Sequence, residues 1–355
     1  MNMRVLLNTI CLLTATLTCP QIVLAADRGF EPDPRVLAIY ETLRMSVERL
    51  HAVEYTAHFD RTQHIDISGT NDLQELHYEL EYAFDGNLYF SRARFTGGNT
   101  GISYDRQWAY DGQAYQKVDA DKGALFRSAF PHPGLPMRSG MLQPLVVPFR
   151  FAFGRDVPLE FKRLQAEEPW KELARRSKLG EPQLVDGHEC ETVVVDTFNP
   201  ISIPTRWTAC LAKDLEYFPV RLEADLNLDD SVMHNEFLVQ AEVIDSTVGK
   251  VVMPMRTKQL TYHAGELMLT QVFEIHPKSL RVNQAVDVST FTIPEELAPG
   301  GVYDTDRNMF TRPPKNAPQS ANTGPSWTLT TVNLTFLVAV AAFVYYRKRR
   351  SNQRI

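Results

Sequence analysis

Alternating strands that end in Asp-Gly are the feature that most restricts how this chain can fold. Residues 53–59 alternate between apolar and polar side chains, which is typical of a strand with one buried face. A second alternating run, 76–84, leads directly into Asp85-Gly86, and this dipeptide favours a two-residue hairpin. The same arrangement recurs at Asp111-Gly112 and Asp186-Gly187. The repeated pattern predicts an antiparallel meander.

One amphipathic helix precedes the strands. Asp33 is a favourable N-cap residue, and Pro34 suits the first helical position. Apolar residues then recur at spacings of three and four up to Leu50, which indicates a helix with one buried stripe. The fold class is therefore α+β. Further strands are predicted in the later part of the chain, at about 191–195, 217–222, 237–244, 257–263 and 267–276.

The hairpin pattern is interrupted at about residues 120–180. Pro131, Pro133 and Pro136 break the alternation. Short helices are predicted at 137–146 and within 158–176. Because the hairpins resume unchanged afterwards, we interpret this region as an irregular, helical insertion within one sheet. Two small sheets joined by helices are the alternative.

Both ends of the chain carry targeting patterns. Residues 1–25 contain a basic start, an apolar run and a small-residue cleavage site, which is typical of a secretory signal peptide. Residues 327–346 form an uncharged apolar span that is long enough to cross a bilayer. The basic tail, 347–355, predicts a cytoplasmic C-terminus. The residues expected to anchor the span at the membrane surfaces are Trp327, Tyr345, Tyr346, Arg347, Lys348, Arg349 and Arg350.

These patterns predict an exported single-pass membrane protein. Residues 26–305 would form the ectodomain, in the periplasm or outside the cell. Residues 306–326 are polar and rich in proline, so we expect an extended stalk there. Two alternatives concern the ends: the N-terminal segment is an uncleaved anchor, or the C-terminal segment is a sorting signal that is cut and replaced by another anchor.

The segment between the two ends is acidic. The chain has 37 Lys and Arg residues and 43 Asp and Glu residues. One basic residue precedes Ala26 and five follow Trp327, whereas neither end segment contains an acid. The remainder therefore has 31 basic and 43 acidic residues, a net charge of −12. Such a surface repels nucleic acid, so we expect no nucleic-acid partner.

The cysteines predict one disulfide. Cys11 and Cys19 leave with the signal peptide, so Cys190 and Cys210 remain in an exported chain. The residues between them have the pattern of a hairpin centred near Pro200, in which the two cysteines face each other across the strands. A pair of buried free thiols is the alternative.

The sequence contains no persuasive catalytic or cofactor motif. It lacks a Gly-x-Ser-x-Gly elbow, a phosphate-binding loop, a dinucleotide fingerprint and a zinc-protease His-Glu motif. His188 and Cys190 are conceivable metal ligands, but a disulfide explains Cys190 better. His58, His77 and His263 fall on the polar faces of strands, where solvated side chains are expected. We therefore assign no catalytic residue, no metal ligand and no cofactor.

Aromatic residues are concentrated in the first hairpins. They form either the lining of an apolar ligand cavity or an ordinary sheet core against the helix, and the sequence by itself favours the ordinary core. The candidate cavity-lining residues are Tyr55, Phe59, Tyr78, Tyr82, Phe84, Phe90, Trp108 and Tyr110.

Three stretches of the sequence resemble the lipoprotein-carrier superfamily, the LolA-like proteins. The first is a helix that ends in LHAVEYTAHFD (50–60) and leads directly into a meander. The second is LVDGHECETVVVD (184–196) followed by ACLAKDLEYFPVRLEAD (209–225), and the third is STFTIPEELAPGGVYD (289–304). The combination is most similar to secreted proteins of planctomycete-type bacteria.

The resemblance implies a strongly curved antiparallel sheet, a half-open β-barrel, with helices over its concave face. To this the sequence adds one C-terminal transmembrane helix. Members of the superfamily hold lipoprotein acyl chains or other lipids in the concave face. We therefore expect a membrane-anchored extracytoplasmic lipid- or lipoprotein-binding module without catalysis, a receiver or sensor rather than a diffusing shuttle. The alternatives are an envelope structural or interaction protein with a filled cavity, and an unrecognised envelope hydrolase.

Overall fold

The alternating segments of the sequence form one large antiparallel sheet in the computed structural model. The model describes residues 31–65, 72–86, 88–99, 105–119, 123–129, 169–198, 204–228 and 231–312. The predicted signal peptide, the predicted helix at 137–146, most of the stalk, the apolar span and the basic tail lie outside these residues. Every described residue belongs to one compact unit, which ends at Pro314.

The described elements begin with a helix and continue mostly as strands. The α-helices are α1 (Pro34–Glu48) and α2 (Pro169–Arg176). The strands are β1 (Ala52–Ile65), β2 (Asp72–Asp85), β3 (Leu88–Gly98), β4 (Asp105–Tyr110), β5 (Tyr115–Asp119), β6 (Ala124–Ser128), β7 (Ser177–Leu179), β8 (Gln183–Val185), β9 (His188–Phe198), β10 (Pro204–Ala212), β11 (Phe218–Leu228), β12 (Ser231–Ser246), β13 (Gly249–His263), β14 (Glu266–Ile275), β15 (Arg281–Val282), β16 (Val302–Asp304) and β17 (Met309–Arg312).

Helix α1 forms where the capping signals predict it. The side chain of Asp33 accepts a hydrogen bond from the backbone N–H of Arg35 at 2.8 Å, and Pro34 occupies the first helical position. The buried stripe of the helix includes Val36, Ile39 and Leu43. Both the N-cap and the apolar spacing are therefore confirmed as predictions of this helix.

The sheet is curved and unclosed. Its strands lie in the spatial order β8–β9–β10–β11–β12–β13–β14–β1–β2–β3–β4–β5–β6–β16–β17, with β7 also paired to β9 and β15 to β1. Neighbouring strands are antiparallel except β6 and β16, which are parallel. Residues 57–63 of β1 pair with 269–275 of β14, and this seam joins the N-terminal and C-terminal meanders.

The two faces of the sheet are covered differently. We call the face that carries Tyr55 and Phe59 the inner face, and the face that carries His58 the outer face, because strand residues alternate between faces. Leu43 and Val47 of α1 share one buried apolar cluster with Tyr55 and Phe59. The helices therefore lie on the inner face. Farther along that face, α1 and α2 cover a second apolar cluster that includes Val36, Ile39, Tyr40, Trp170, Leu173, Val193, Leu211 and Phe237.

The C-terminal segment, residues 286–304, covers part of the outer face. Phe291 packs with Ala52 and Ala83, and Ile293 packs with Ala109 and Leu125. The segment is also fixed by polar contacts, since the backbone N–H of Ile293 donates to the buried side chain of Gln116 at 3.0 Å. The stretch that resembles the superfamily near the C-terminus thus forms the outer cover of strands β2 to β6.

The region predicted as an irregular insertion is partly regular. Residues 124–128 form strand β6, which extends the sheet, so the irregular region does not begin at residue 120. Residues 169–176 form α2, within the stretch where a helix was predicted.

Among the described residues, no helix combines the length and the apolar character needed to cross a bilayer.

Candidate functional site

Aromatic rings from neighbouring strands contact each other on the inner face. Tyr55 of β1 stacks on Tyr82 of β2, with ring centroids 5.2 Å apart, and meets Phe273 of β14 edge-on at 6.0 Å. Phe59 and Tyr78 follow one step along the same strands, with centroids 5.8 Å apart. Such offset and edge-to-face arrangements are the favoured ones for buried rings. The β14–β1 seam therefore runs through the aromatic region.

Strands β2 to β4 extend this aromatic region. Tyr82 contacts Phe84 at 6.4 Å between ring centroids, and Trp108 is buried in the same apolar cluster. Tyr110 packs against this cluster and stacks on Tyr115 at 4.4 Å. We define the aromatic cluster as Tyr55, Phe59, Tyr78, Tyr82, Phe84, Tyr89, Trp108, Tyr110 and Phe273.

Phe90 does not belong to the aromatic cluster, although the sequence analysis included it. In the register, Phe90 lies opposite Ala83 on one side and Ala109 on the other, and it packs with the C-terminal segment on the outer face. The preceding residue, Tyr89, faces inwards and is 1 % exposed. The reason is the two-residue period of a strand, since adjacent residues must point to opposite faces.

The aromatic cluster contains buried hydrogen-bond donors without partners. The hydroxyl groups of Tyr55 and Tyr89 and the indole N–H of Trp108 have no hydrogen-bond partner within the described part of the chain. Buried Tyr and Trp side chains normally satisfy these groups, and an unsatisfied buried polar group costs about 1–3 kcal/mol. Three such donors in one cluster indicate a place where a polar acceptor would be favourable.

The surroundings of these hydroxyl groups keep them protonated. Burial raises the pKa of Tyr55 and Tyr89 well above the ordinary value of 10.0, and the nearby Tyr82 raises both further. Burial also raises the pKa of Tyr82. At physiological pH these side chains are therefore neutral O–H donors, and they are unsuited to act as phenolate nucleophiles or general bases.

A polar patch adjoins the aromatic cluster on the inner face. We define it as Thr257, Gln259 and Gln271, on strands β13 and β14. All three side chains are buried, and each has an oxygen without a hydrogen-bond partner among the residues described. The register joins the two areas directly, because Thr257 lies opposite Phe273 of the aromatic cluster.

A cationic side chain continues the polar patch towards the end of β1. Arg61 lies opposite Gln271 in the register, one inward-facing position beyond Phe59. Its guanidinium group donates a hydrogen bond to the side chain of Gln63 at 2.5 Å. The inner face therefore changes along β1 from aromatic rings near Tyr55 to amide and guanidinium groups near Arg61. A surface with one apolar end and one polar end matches an amphiphilic ligand.

The two predicted disulfide partners lie on neighbouring strands as buried free thiols. Strands β9 and β10 form the predicted hairpin, but Cys190 lies opposite Ala212 and Cys210 opposite Thr192. The cysteines are thus diagonal neighbours on one face, offset by two residues, and do not face each other directly as the sequence suggested. Burial is the main cause that raises the pKa of Cys190 to about 11 and also raises that of Cys210. The disulfide stays a prediction.

Other ionisable side chains gather away from the inner face. His188, a conceivable metal ligand in the sequence, pairs through its imidazole with Asp214 at 2.8 Å. The thiol of Cys190 instead donates to the backbone carbonyl of His188. On the outer face, His58 lies close to Glu79 and His276. The sequence predicts a solvated His58 and gives no sign of this cluster, because the β14–β1 pairing is what brings His276 next to it.

Comparisons with known proteins return likenesses in structure but not in sequence. No family model and no curated protein matches the chain. Among solved structures, it is similar to a DUF1329 family protein from Desulfovibrio piger, with a TM-score of 0.40 and 11 % identity over 72 % of this chain and 97 % of the other. It is also similar to an outer membrane lipoprotein-sorting protein domain from Vibrio parahaemolyticus, with a TM-score of 0.38 and 9 % identity over 71 % and 95 % of the two chains.

A third solved structure carries the name of the superfamily itself. The LolA superfamily protein from Nitrosomonas europaea has a TM-score of 0.36 and 9 % identity over 72 % of this chain and 98 % of its own. Scores and identities this low carry no inference about what the chain binds. The structural neighbours nevertheless include the LolA superfamily, the one that the sequence motifs resemble.

Proposed function

We propose that this protein is an exported, membrane-anchored binding module that holds the acyl chain of a lipid or lipoprotein on its inner face. The observation that carries the proposal is the set of buried donors without partners at Tyr55, Tyr89 and Trp108. A carbonyl or another acceptor group on the ligand is of the kind that these donors lack. The chain itself would lie on the aromatic rings, where apolar contact is favourable.

The polarity of the inner face supports an amphiphile rather than a wholly apolar ligand. The ligand's polar end would lie towards Gln271 and Arg61, which continue the inner face beyond the aromatic cluster. A guanidinium group is suited to bind a phosphate or carboxylate group. The orientation of the ligand therefore follows from the direction of β1.

The role of a receiver or sensor follows from the predicted anchor. A protein held by a span at 327–346 cannot carry a lipid between membranes by diffusion. The neutral, buried tyrosine hydroxyls of the aromatic cluster offer no activated nucleophile. We therefore propose binding without catalysis.

Photocrosslinking in intact membranes tests the proposal. The full chain would be produced in cells that are fed a fatty acid with a photoreactive group in its chain, irradiated, digested and analysed by mass spectrometry. We expect labelled peptides from β1 and β2, including Tyr55 and Tyr82. The double variant Tyr55→Phe/Tyr89→Phe keeps the rings but removes two donors, so its labelling should fall. Tyr303→Phe, on the C-terminal segment, is the matched control.

A filled core is the second candidate, and one observation favours it. The rings of the aromatic cluster are nearly fully buried by the chain itself; Tyr55 is 2 % exposed and Phe59 0 % exposed. In that case the protein is an envelope structural or interaction protein. Labelling confined to the span at 327–346, together with an intact mass of residues 26–314 that is the same under native and denaturing conditions, would select this candidate.

A further inference from the structure

Two imidazoles and one carboxylate meet on the outer face, on the side of the sheet that the proposed lipid does not use. His58 of β1 lies opposite Glu79 of β2, and His276 follows the last residue of β14. The Nδ1 atom of His58 is 2.7 Å from Oε1 of Glu79, and Nε2 of His276 is 3.6 Å from Oε2 of Glu79. One nitrogen or oxygen atom from each residue lies within 4.8 Å of the other two.

We propose that His58, Glu79 and His276 bind a zinc ion or a similar divalent transition-metal ion. Imidazole nitrogen and carboxylate oxygen are two of the usual protein ligands of Zn²⁺, and sites with three protein ligands keep a fourth position for water. At metal–ligand distances of about 2.0–2.2 Å, ligand atoms in a tetrahedron are roughly 3.3 Å apart. The observed separations, 2.7 Å from His58 to Oε1 and 3.6 Å from His276 to Oε2, are close to that value but involve the two different oxygens of Glu79, so the ion would bind both oxygens or the carboxylate would rotate.

The backbone holds the three residues in place without the ion. His58 lies in the interior of β1, which is paired with β2 on one side and β14 on the other. The backbone N–H of His276 donates to the carbonyl of Thr56 at 2.9 Å, and its carbonyl accepts from the hydroxyl of Ser279 at 2.8 Å. The ligands therefore stand on strands and a fixed turn, which favours a defined metal geometry.

The two imidazole rings are oriented as separate ligands. Their centroids are 4.3 Å apart and their planes are inclined at 81°. At this angle the rings do not stack, so each ring can direct one nitrogen towards the same metal ion. The side chain of Glu79 is 26 % exposed, so solvent reaches the carboxylate that would share the ion.

Glu79 pairs with the two histidines, although Arg94 of β3 lies opposite it in the register. In the described ranges, the ion pairs of Glu79 are those with His58 and His276. The acidic neighbours are already neutralised, since Glu274 pairs with Arg256 at 3.5 Å and Glu81 with Arg92 at 3.6 Å. A metal ion would add the positive charge that arginine supplies at those other carboxylates.

The simpler interpretation is an ordinary pair of histidine and carboxylate. Such pairs occur elsewhere in the described residues, for example between His77 and Asp60 and between His234 and Asp225, each at 2.7 Å. Those pairs have two members, whereas the cluster at His58 adds a second imidazole on the same carboxylate. His77 therefore provides a matched control on the same face.

Cobalt titration tests the site. The full chain would be purified in detergent with a tag that lacks histidine, stripped with a chelator and titrated with Co²⁺, which gives strong visible absorption when it is four-coordinate. We expect one Co²⁺ per chain, displaced by one Zn²⁺. His276→Gln and His58→Gln should weaken binding by more than about tenfold, since even the loss of groups that only support metal ligands costs 10–100-fold. His77→Gln should bind like the wild type.

Two binding results would contradict the metal site. If the wild-type chain binds no Co²⁺ or Zn²⁺, or if His276→Gln binds as tightly as the wild type, the cluster is an ordinary hydrogen-bonded group. Weakening of equal size in His77→Gln would also contradict the proposal. Circular dichroism of each variant shows whether the sheet is intact, which is expected because all three histidines are on the surface. Photocrosslinking to lipid is a separate measurement, so either proposal can fail while the other stands.

Discussion

Two buried tyrosines on the helix-covered side of the sheet predict opposite effects of the same substitution. Tyr89 has a hydroxyl without a partner in the described residues, whereas the hydroxyl of Tyr40 is 3.1 Å from the hydroxyl of Ser177. Tyr89→Phe should therefore raise the free energy of unfolding by about 1 kcal/mol, and Tyr40→Phe should lower it by about 1 kcal/mol. Urea unfolding of lipid-free protein measures both. Destabilisation by Tyr89→Phe would show that its hydroxyl is satisfied.

The thiol groups predict slow alkylation of the reduced, folded protein. The pKa of Cys190 is about 11 in the fold, against an ordinary value of 9.0, so at pH 9 about one such group in a hundred is a thiolate, compared with half in the unfolded chain. Cys190 should therefore react with iodoacetamide far more slowly in the folded than in the urea-unfolded protein. Cys210→Ser isolates Cys190 for this measurement. Equal rates in both states would contradict the buried position.

Asn283 connects three elements and should be sensitive to truncation. Its backbone is left-handed, with φ of 53°, a conformation that asparagine tolerates better than most residues. Its side chain accepts from the N–H of His51 and donates to the carbonyl of Arg49 and the hydroxyl of Ser246, at 2.7 to 3.1 Å. It therefore joins the end of α1 to the hairpin between β12 and β13.

The expected effect of Asn283→Ala is a loss of about 2.5–5.5 kcal/mol from the free energy of unfolding. The estimate combines lost hydrogen bonds at 0.5–1.5 kcal/mol each with about 1 kcal/mol for alanine in the left-handed region. Asn283→Gly removes the same hydrogen bonds without the backbone cost, so it should be less destabilising. Thermal or urea unfolding of both variants separates the hydrogen-bond contribution from the backbone contribution. Equal losses of stability in Asn283→Ala and Asn283→Gly would assign the whole effect to the hydrogen bonds of the side chain.

The C-terminal segment predicts a large contrast between two of its apolar residues. Phe291 is fully buried against Ala52 and Ala83, whereas Val288 is 68 % exposed. Phe291→Ala should lower the free energy of unfolding by about 3–5 kcal/mol, and Val288→Ala should change it by less than about 0.5 kcal/mol. Chemical denaturation measures both. A small effect at Phe291 would mean that the outer cover contributes little to the sheet.

The elements were predictable where the signal is local. Asp33 with Pro34 marks the start of α1, and Asp186-Gly187 adopts the positive φ angles, 49° and 87°, of a tight hairpin turn. Strand β6 was missed because its sequence, ALFRS, does not alternate between apolar and polar residues, although it pairs with the preceding strand β5. The inward position of Tyr89 could have been derived, since Leu88 lies opposite Asp85 across the turn.

The whole sheet should unfold as one unit, because the seam between β1 and β14 joins its two halves. Trp108 lies in β4 and Trp207 in β10, so each half has its own fluorescence probe. We expect variants that keep either Trp108 or Trp207 as the single tryptophan of the four to unfold at the same urea concentration, once the change in stability caused by the substitutions in each variant is subtracted. Two separate transitions would show that the seam does not couple the meanders.

At the scale of the molecule, the sequence predicted the class of fold better than the site. The alternating runs and Asp-Gly turns predict an antiparallel meander, and most of the aromatic cluster follows from them. The seam could not be derived, since no local pattern states that β14 pairs with β1. The meeting of His276 with His58 and the joining of the polar patch to the aromatic cluster depend on that pairing, so both were outside the reach of sequence reasoning.

The route of the chain out of the sheet has a mechanical consequence. The last described strands, β16 and β17, lie beyond β6, at the edge of the sheet that is many strands away from β9. A pulling force applied at the C-terminal end would act first on these short edge strands. The packing of Phe291 and Ile293 would bear the load next. The aromatic cluster would therefore feel such a force last, so tension from the proposed membrane anchor would leave the proposed ligand site undisturbed.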